Sequence, residues 1–232
     1  MKSFHTLLLA LLVLPSAAVA QGAPAMPART DLYYVHFAKA TLGKAAQMGD
    51  FLKTPNPNSP MPEHRIVLRH ESGDSWDYVS ISHLGAKATI EPKGTPAPQA
   101  ARDTYEWHTD TYVNGPSWPE FVKALGLGES AGKTAGAVCL VSIYRYAPGH
   151  REQLEKELST PPAPGDTAAG QVLMQHVDGA AWSFLGIVRY NSWEDYAKGQ
   201  KATMPSGSSG PWFSLRDHAS FHTDTLTDRI AP

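Results

Sequence analysis

The chain is written twice, and this internal repeat limits its fold more than any other feature. Offset by 106 residues, positions 33–84 lie over 139–190 without a gap, and ten of these 52 positions are identical. The identical pairs include Gly43/Gly149, Gln47/Gln153, Leu52/Leu158, Thr54/Thr160, Pro55/Pro161, His70/His176, Gly73/Gly179, Trp76/Trp182 and Ile81/Ile187. Further on the offset becomes 114, where Arg102-Asp103 matches Arg216-Asp217 and His108-Thr109-Asp110-Thr111 matches His222-Thr223-Asp224-Thr225. The shift from 106 to 114 gives the second copy eight extra residues between 190 and 216. An ordered series of matches at fixed spacing is the signature of one supersecondary unit used twice.

Each copy reads as strand, helix, strand, strand, then a mixed segment ending in His-Thr-Asp-Thr. Residues 33–39 and 140–146 are rich in β-branched and aromatic side chains, as strands are. Gly43 and Gly149 break the chain before a helix that runs to Leu52 and Leu158. Thr-Pro ends that helix, because the residue before proline is pushed out of the α region. Residues 66–70 and 172–176 form the second strand. Ser72-Gly73-Asp74 and Asp178-Gly179-Ala180 are tight-turn chemistry, so residues 76–84 and 182–190 return as a hairpin. Ser192 caps a further helix with acids in its first turn, and residues 117–127 predict one extra helix between the copies. The Pro- and Gly-rich stretches 91–99, 126–136 and 204–211 read as loops.

This order, strand–helix–strand–strand–helix–strand used twice, resembles a tandem ferredoxin-like fold. More narrowly it is similar to the dimeric α/β-barrel superfamily, with its EthD-like, NIPSNAP-like and antibiotic-biosynthesis-monooxygenase-like groups. The resemblance lies in YYVHFAK…GKAAQMGDFL and LVSIYRYAPGHREQLEKEL, each a strand running into a Gly-led helix, and in NSWEDYAKG. It implies an α+β fold of two ferredoxin-like repeats whose antiparallel sheets pack as an intramolecular α/β barrel, with a cavity in each barrel half. It also implies that a homodimer is possible but not required. Members include cofactor-free oxygenases, isomerases, haem enzymes and domains without a reaction, so the fold does not select a function.

The start of the chain reads as an address. Lys2, the apolar run from Leu7 to Leu14 and Ala18-Val19-Ala20 predict a secretory signal peptide over 1–20, cleaved after Ala20. The run is too short to span a bilayer. The expected product is exported, periplasmic or extracellular, with no membrane span after cleavage. A leader follows over 21–30, then repeat 1 over 31–115, a helix and linker over 116–136, and repeat 2 over 137–232. The lone cysteine, Cys139, sits in an apolar strand and reads as a small buried hydrophobe rather than a nucleophile. With 20 Lys+Arg against 22 Asp+Glu, the chain lacks the excess positive charge that nucleic-acid binding needs.

The candidate site residues are histidines and their neighbours. Side chains alternate along a strand, so His36 shares a face with Tyr34 and Ala38, and Val35 shares the other with Phe37. If Val35 and Phe37 pack on the helices, His36 points into the barrel interior, with His70, His108 or Asp110 as its polar company. Its counterpart in copy two is Ser142, so a polar cavity is expected in copy one, and His36 is the candidate catalytic base. His70 and His176 occupy matching places before the hairpin turns, either as structural groups or as symmetry-related ligand contacts. The pairs His108/Asp110 and His222/Asp224 are strand residues facing one way. A helical alternative puts His218 and His222 one turn apart, as in some zinc sites. No third ligand follows there, so no metal site is assigned.

No nucleophile elbow, phosphate loop, dinucleotide fingerprint or Cys-x-x-Cys is present. Two functions of different class remain. One is an exported barrel that binds a small apolar molecule without turning it over. The other is a cofactor-free oxygenase or isomerase acting on a small apolar or aromatic substrate with a histidine base. No cofactor is required by either, and haem or a metal ion is left open.

Overall fold

Tyr33, Val35 and Phe37 alternate with Tyr34, His36 and Ala38, and the segment forms the strand β1, Asp31–Ala40. The computed structural model describes residues 26–54, 64–85, 98–127, 136–204 and 210–231. In the first copy β1 is followed by α1 (Ala45–Lys53), β2 (Arg65–Ser72), β3 (Tyr78–Gly85), α2 (Gln99–Arg102) and β4 (Tyr105–Gly115). The helix α3 (Trp118–Leu125) lies between the copies. The second copy runs β5 (Val138–Tyr146), α4 (Arg151–Leu158), β6 (Gly170–Asp178), β7 (Phe184–Tyr190), α5 (Trp193–Thr203), α6 (Pro211–His218) and β8 (Ala219–Ala231). The expected signal peptide and positions 21–25 of the leader lie outside the described residues, as does most of the expected loop at 91–99. No helix among the described residues is long and apolar enough to cross a membrane.

The local chemistry sets the element ends. Thr54 is extended after α1, as a residue before proline must be. The Ser192 hydroxyl accepts the Asp195 N–H at 3.0 Å and starts α5. Ser117 and Glu120 form a capping box at the start of α3, and Gly126 ends it in the left-handed region. Both His-Thr-Asp-Thr segments are strand, within β4 and β8. The helical alternative fails because α6 stops at His218, which instead faces His150, Nδ1 to Nδ1 at 2.9 Å.

All eight strands close into one antiparallel barrel in the order β1-β3-β2-β8-β5-β7-β6-β4. Each copy supplies four strands in ferredoxin-like order, and the copies join where β2 pairs with β8 and β4 with β6. The fold is therefore α+β, two ferredoxin-like repeats forming an α/β barrel within one chain.

The barrel interior is apolar. Val35, Phe37, Ile66, Leu68 and Ile81 of the first copy pack in one buried cluster with Val141, Ile143, Val172, Met174 and Ile187 of the second. Side chains of this size contribute about 1.5–3 kcal/mol each when fully buried. The opposite face of each sheet carries helices. Ala38, Ala40, Val67 and Tyr78 pack with Met48 and Leu52 of α1, and Leu173 and Phe184 pack with Leu154 of α4. This corrects the expected side of His36. Val35 and Phe37 fill the interior, so His36 and Tyr34 lie on the outer, helix-bearing face. A polar cavity walled by His36 inside the barrel is ruled out with it, since the interior face of β1 is Tyr33, Val35 and Phe37.

The hairpin turns tie the two copies together. Gly73 in the β2–β3 turn lies against the Asp224 carbonyl and Thr225, and Gly179 in the β6–β7 turn lies against the Asp110 carbonyl and Thr111. The Asp74 N–H donates to Thr225 Oγ1 at 3.2 Å, and the Ala180 N–H to Thr111 Oγ1 at 3.3 Å. Two features repeated in the sequence, the turn glycine and the His-Thr-Asp-Thr end, thus meet at the seams where the copies join.

Candidate functional site

The outer face of β1 and β4 gathers the polar groups of copy one. In the β1–β4 register His36 lies opposite Asp110, Tyr34 opposite Tyr112, and Ala38 opposite His108. Alternation then sets Tyr34, His36, His108 and Asp110 on one surface, so of the polar company expected for His36 the structure supplies His108 and Asp110 and leaves out His70. The Tyr34 hydroxyl donates to Asp110 Oδ1 at 2.5 Å, and His36 Nδ1 lies 2.7 Å from the same oxygen. His108 Nδ1 stands 3.3 Å from Asp110 Oδ2. The His36 side chain is 13% exposed, Asp110 40% and His108 51%.

Burial acts to raise the Asp110 pKa. The hydrogen bonds from His36 and Tyr34, with the charges of His36 and His108, outweigh it and bring the carboxyl down to about 2. An ionised carboxylate only accepts, so Nδ1 of His36 carries the proton of the shared bond, and in the neutral ring Nε2 carries the lone pair. That Nε2 is buried and has no protein partner. Burial, then the bond to Asp110, pushes the Tyr34 phenol well above its ordinary range, so it stays a donor.

Aromatic rings wall this cluster. Tyr105 meets His36 edge-on with centroids 5.6 Å apart, Tyr112 lies 5.5 Å from Tyr34, and the His36 and His108 rings are 5.1 Å apart. The sequence reading missed Tyr105 and Tyr112. Tyr112 was available to it, since it stands two residues after Asp110 on the same strand face. Tyr105 was not, because an irregularity in the β1–β4 pairing between Lys39 and Ala40 changes its register.

Copy two holds the related but different set. Asp224 accepts from Ser142 Oγ at 2.6 Å and contacts His222 Nε2 at 2.8 Å. The His222 ring stacks on Tyr144 at 5.3 Å and is only 12% exposed. Ser142 stands where copy one has His36, so one imidazole is absent and the remaining one is covered. His70 and His176 join neither set. Each packs edge-on against the tryptophan of its own hairpin, Trp76 at 5.8 Å and Trp182 at 5.6 Å, whose indoles belong to the interior cluster. Alternation with Ile66 and Leu68, and with Val172 and Met174, holds them on the interior face.

Cys139 is buried, and burial pushes its thiol up to about 11, which leaves it protonated. A cleft of about 600 Å³ lies elsewhere, between α3 and residues 162–171, with Glu120, Lys123 and Asp166 in its wall. None of the expected site residues lines it.

No family model and no curated protein matches the chain. Among solved structures it is similar to an anthrone oxidase-like protein, with a TM-score of 0.60 and 10% identity over 87% of this chain and 92% of that one. It is also similar to a candidate monooxygenase from Lactobacillus acidophilus, with a TM-score of 0.46 and 10% identity over 86% of this chain and 94% of that one. The first likeness shows the fold. Fold and geometry together describe two ferredoxin-like repeats closed as one α/β barrel within a single chain, with a Tyr–Asp–His–His cluster on the outer face of the first half.

Proposed function

We propose that this is an exported small-molecule-binding barrel in which His36 accepts a proton from an aromatic C–H or O–H acid. The supporting observation is the Tyr34–Asp110–His36 chain, which orients the imidazole and leaves its buried Nε2 without a partner. A carboxylate on Nδ1 fixes the tautomer and stabilises the imidazolium that forms on proton transfer. The rings of Tyr34, Tyr105 and Tyr112 favour a flat, aromatic partner. The anthrone oxidase-like neighbour suggests the reaction class. Removing the acidic ring C–H proton of an anthrone gives an electron-rich anion, and dioxygen can take its electrons. Anthrone plus O₂ gives anthraquinone plus water, with no further reductant.

Binding without turnover is the second reading, and the cleft beside α3, which holds no histidine, favours it. One experiment separates the two. Anthrone in air-saturated buffer is followed by oxygen uptake and quinone absorbance, with wild type beside His36→Ala and His176→Ala. The base reading expects turnover that falls at least 100-fold in His36→Ala and is kept in His176→Ala. Binding of anthrone without oxygen uptake by wild type establishes the second reading. Loss in His176→Ala alone puts the site in the wrong half.

A further inference from the structure

We infer that His36, His108 and Asp110 form a binding site for a divalent transition-metal ion. Their ligand atoms lie within 4.8 Å of one another, and no second such group occurs among the described residues. Ligands held at about 2.0–2.2 Å from one ion, at tetrahedral or octahedral angles, stand roughly 3.0–3.5 Å apart. The cluster lies near that spacing, with His36 Nδ1 2.7 Å from Asp110 Oδ1 and His108 Nδ1 3.3 Å from Asp110 Oδ2, the two imidazoles on the two oxygens of one carboxylate. The half-exposed His108 ring is the side chain that would turn to bring the three ligand atoms, now within 4.8 Å, around one ion.

The donor set names the class of ion. Two imidazoles and one carboxylate suit Zn²⁺, Fe²⁺, Ni²⁺ or Cu²⁺, and are a poor match for Mg²⁺ or Ca²⁺, which take oxygen ligands. Three ligands on one face of two adjacent strands leave the remaining positions toward solvent, through the exposed sides of Asp110 and His108. The Tyr34 hydroxyl holds the carboxylate from behind, as outer-shell donors do at metal centres. An orienting His–Asp pair needs only one histidine. Copy two shows that simpler case, with His222 on Asp224 and Ser142 in the third place. The second imidazole on the same carboxylate is what copy one has in addition.

The site does not depend on the proton-acceptor reading. The two uses compete, because an ion on Asp110 removes the carboxylate from His36. A bound metal therefore acts as an inhibitor of proton transfer there.

The test is calorimetric titration of chelator-treated protein with Zn²⁺, backed by the visible spectrum of the Co²⁺ form. One equivalent of Zn²⁺ per chain is expected. His36→Ala and His108→Ala should each weaken binding at least tenfold and abolish the Co²⁺ bands, with circular dichroism showing that both variants are folded. His108 is half exposed, so its variant tests the site even if His36→Ala unfolds. His222→Ala should leave binding unchanged. No bound equivalent, or binding that survives His108→Ala, overturns the inference. So does binding lost in His150→Ala, which would move it to the His150–His218 pair.

Discussion

At the scale of single residues, the two aspartates of the repeat do the same local work by different means. Burial acts to raise the Asp224 pKa, but the hydrogen bonds from His222 and Ser142 outweigh it and hold the carboxyl below its ordinary value. A depressed folded pKa contributes stability that is full above the unfolded value of about 3.9. That contribution is lost as pH falls through the folded value. Asp224→Asn removes the titrating group. Urea unfolding of this variant should show a shallower loss of stability below about pH 4 than wild type. Parallel curves would mean that the bonds to Asp224 do not survive in solution. Ser142 explains why copy two can cover His222 while Asp224 stays half-exposed. A hydroxyl fills less space than an imidazole, and His222 then lies flat on Tyr144.

At the scale of elements, the hairpin turns were legible and the strand faces were only half so. Gly73 and Gly179 announce turns by composition, but nothing local says that each turn packs on the other copy. Gly179 has φ +117°, and a Cβ there would stand 2.2 Å from the Asp110 carbonyl oxygen. Gly43 has φ +77° with open space around it. Gly43→Ala should therefore cost about 1 kcal/mol, from the backbone alone. Gly179→Ala should cost more than about 2 kcal/mol, because the β6–β7 turn must leave β4. Chemical denaturation of the two variants checks the difference, and equal losses would show that the β6–β7 turn does not press on β4.

The period of β1 was equally plain, and its sign was not. Alternation divides Tyr34, His36 and Ala38 from Val35 and Phe37 without saying which set faces the helices. The small Ala38 and Ala40, which admit Met48 and Leu52 of α1, were the available clue. The company of His36 was legible only as a choice among His70, His108 and Asp110, because the register that selects His108 and Asp110 is the pairing of β1 with β4, elements about seventy residues apart in the chain.

At the scale of the whole molecule, the repeat in the sequence is not a repeat in stability. One half alone would expose the face of its sheet that the other half covers, and small domains cannot leave so much apolar surface in water. The interior cluster mixes both copies, and the β2–β8 and β4–β6 pairings make each copy the edge partner of the other. Tryptophans fall on both sides, with Trp76 and Trp107 in the first copy and Trp182, Trp193 and Trp212 in the second. Indole fluorescence therefore reports the whole barrel, while far-ultraviolet circular dichroism reports its strands and helices. The two should give one coincident transition in urea. Ile187 is fully buried in the shared interior. Ile187→Ala should lower stability by about 2–5 kcal/mol and move the whole transition, first-copy signal included. Two steps, with only one displaced by Ile187→Ala, would show that the copies fold as separate units and that the barrel joins them only by contact.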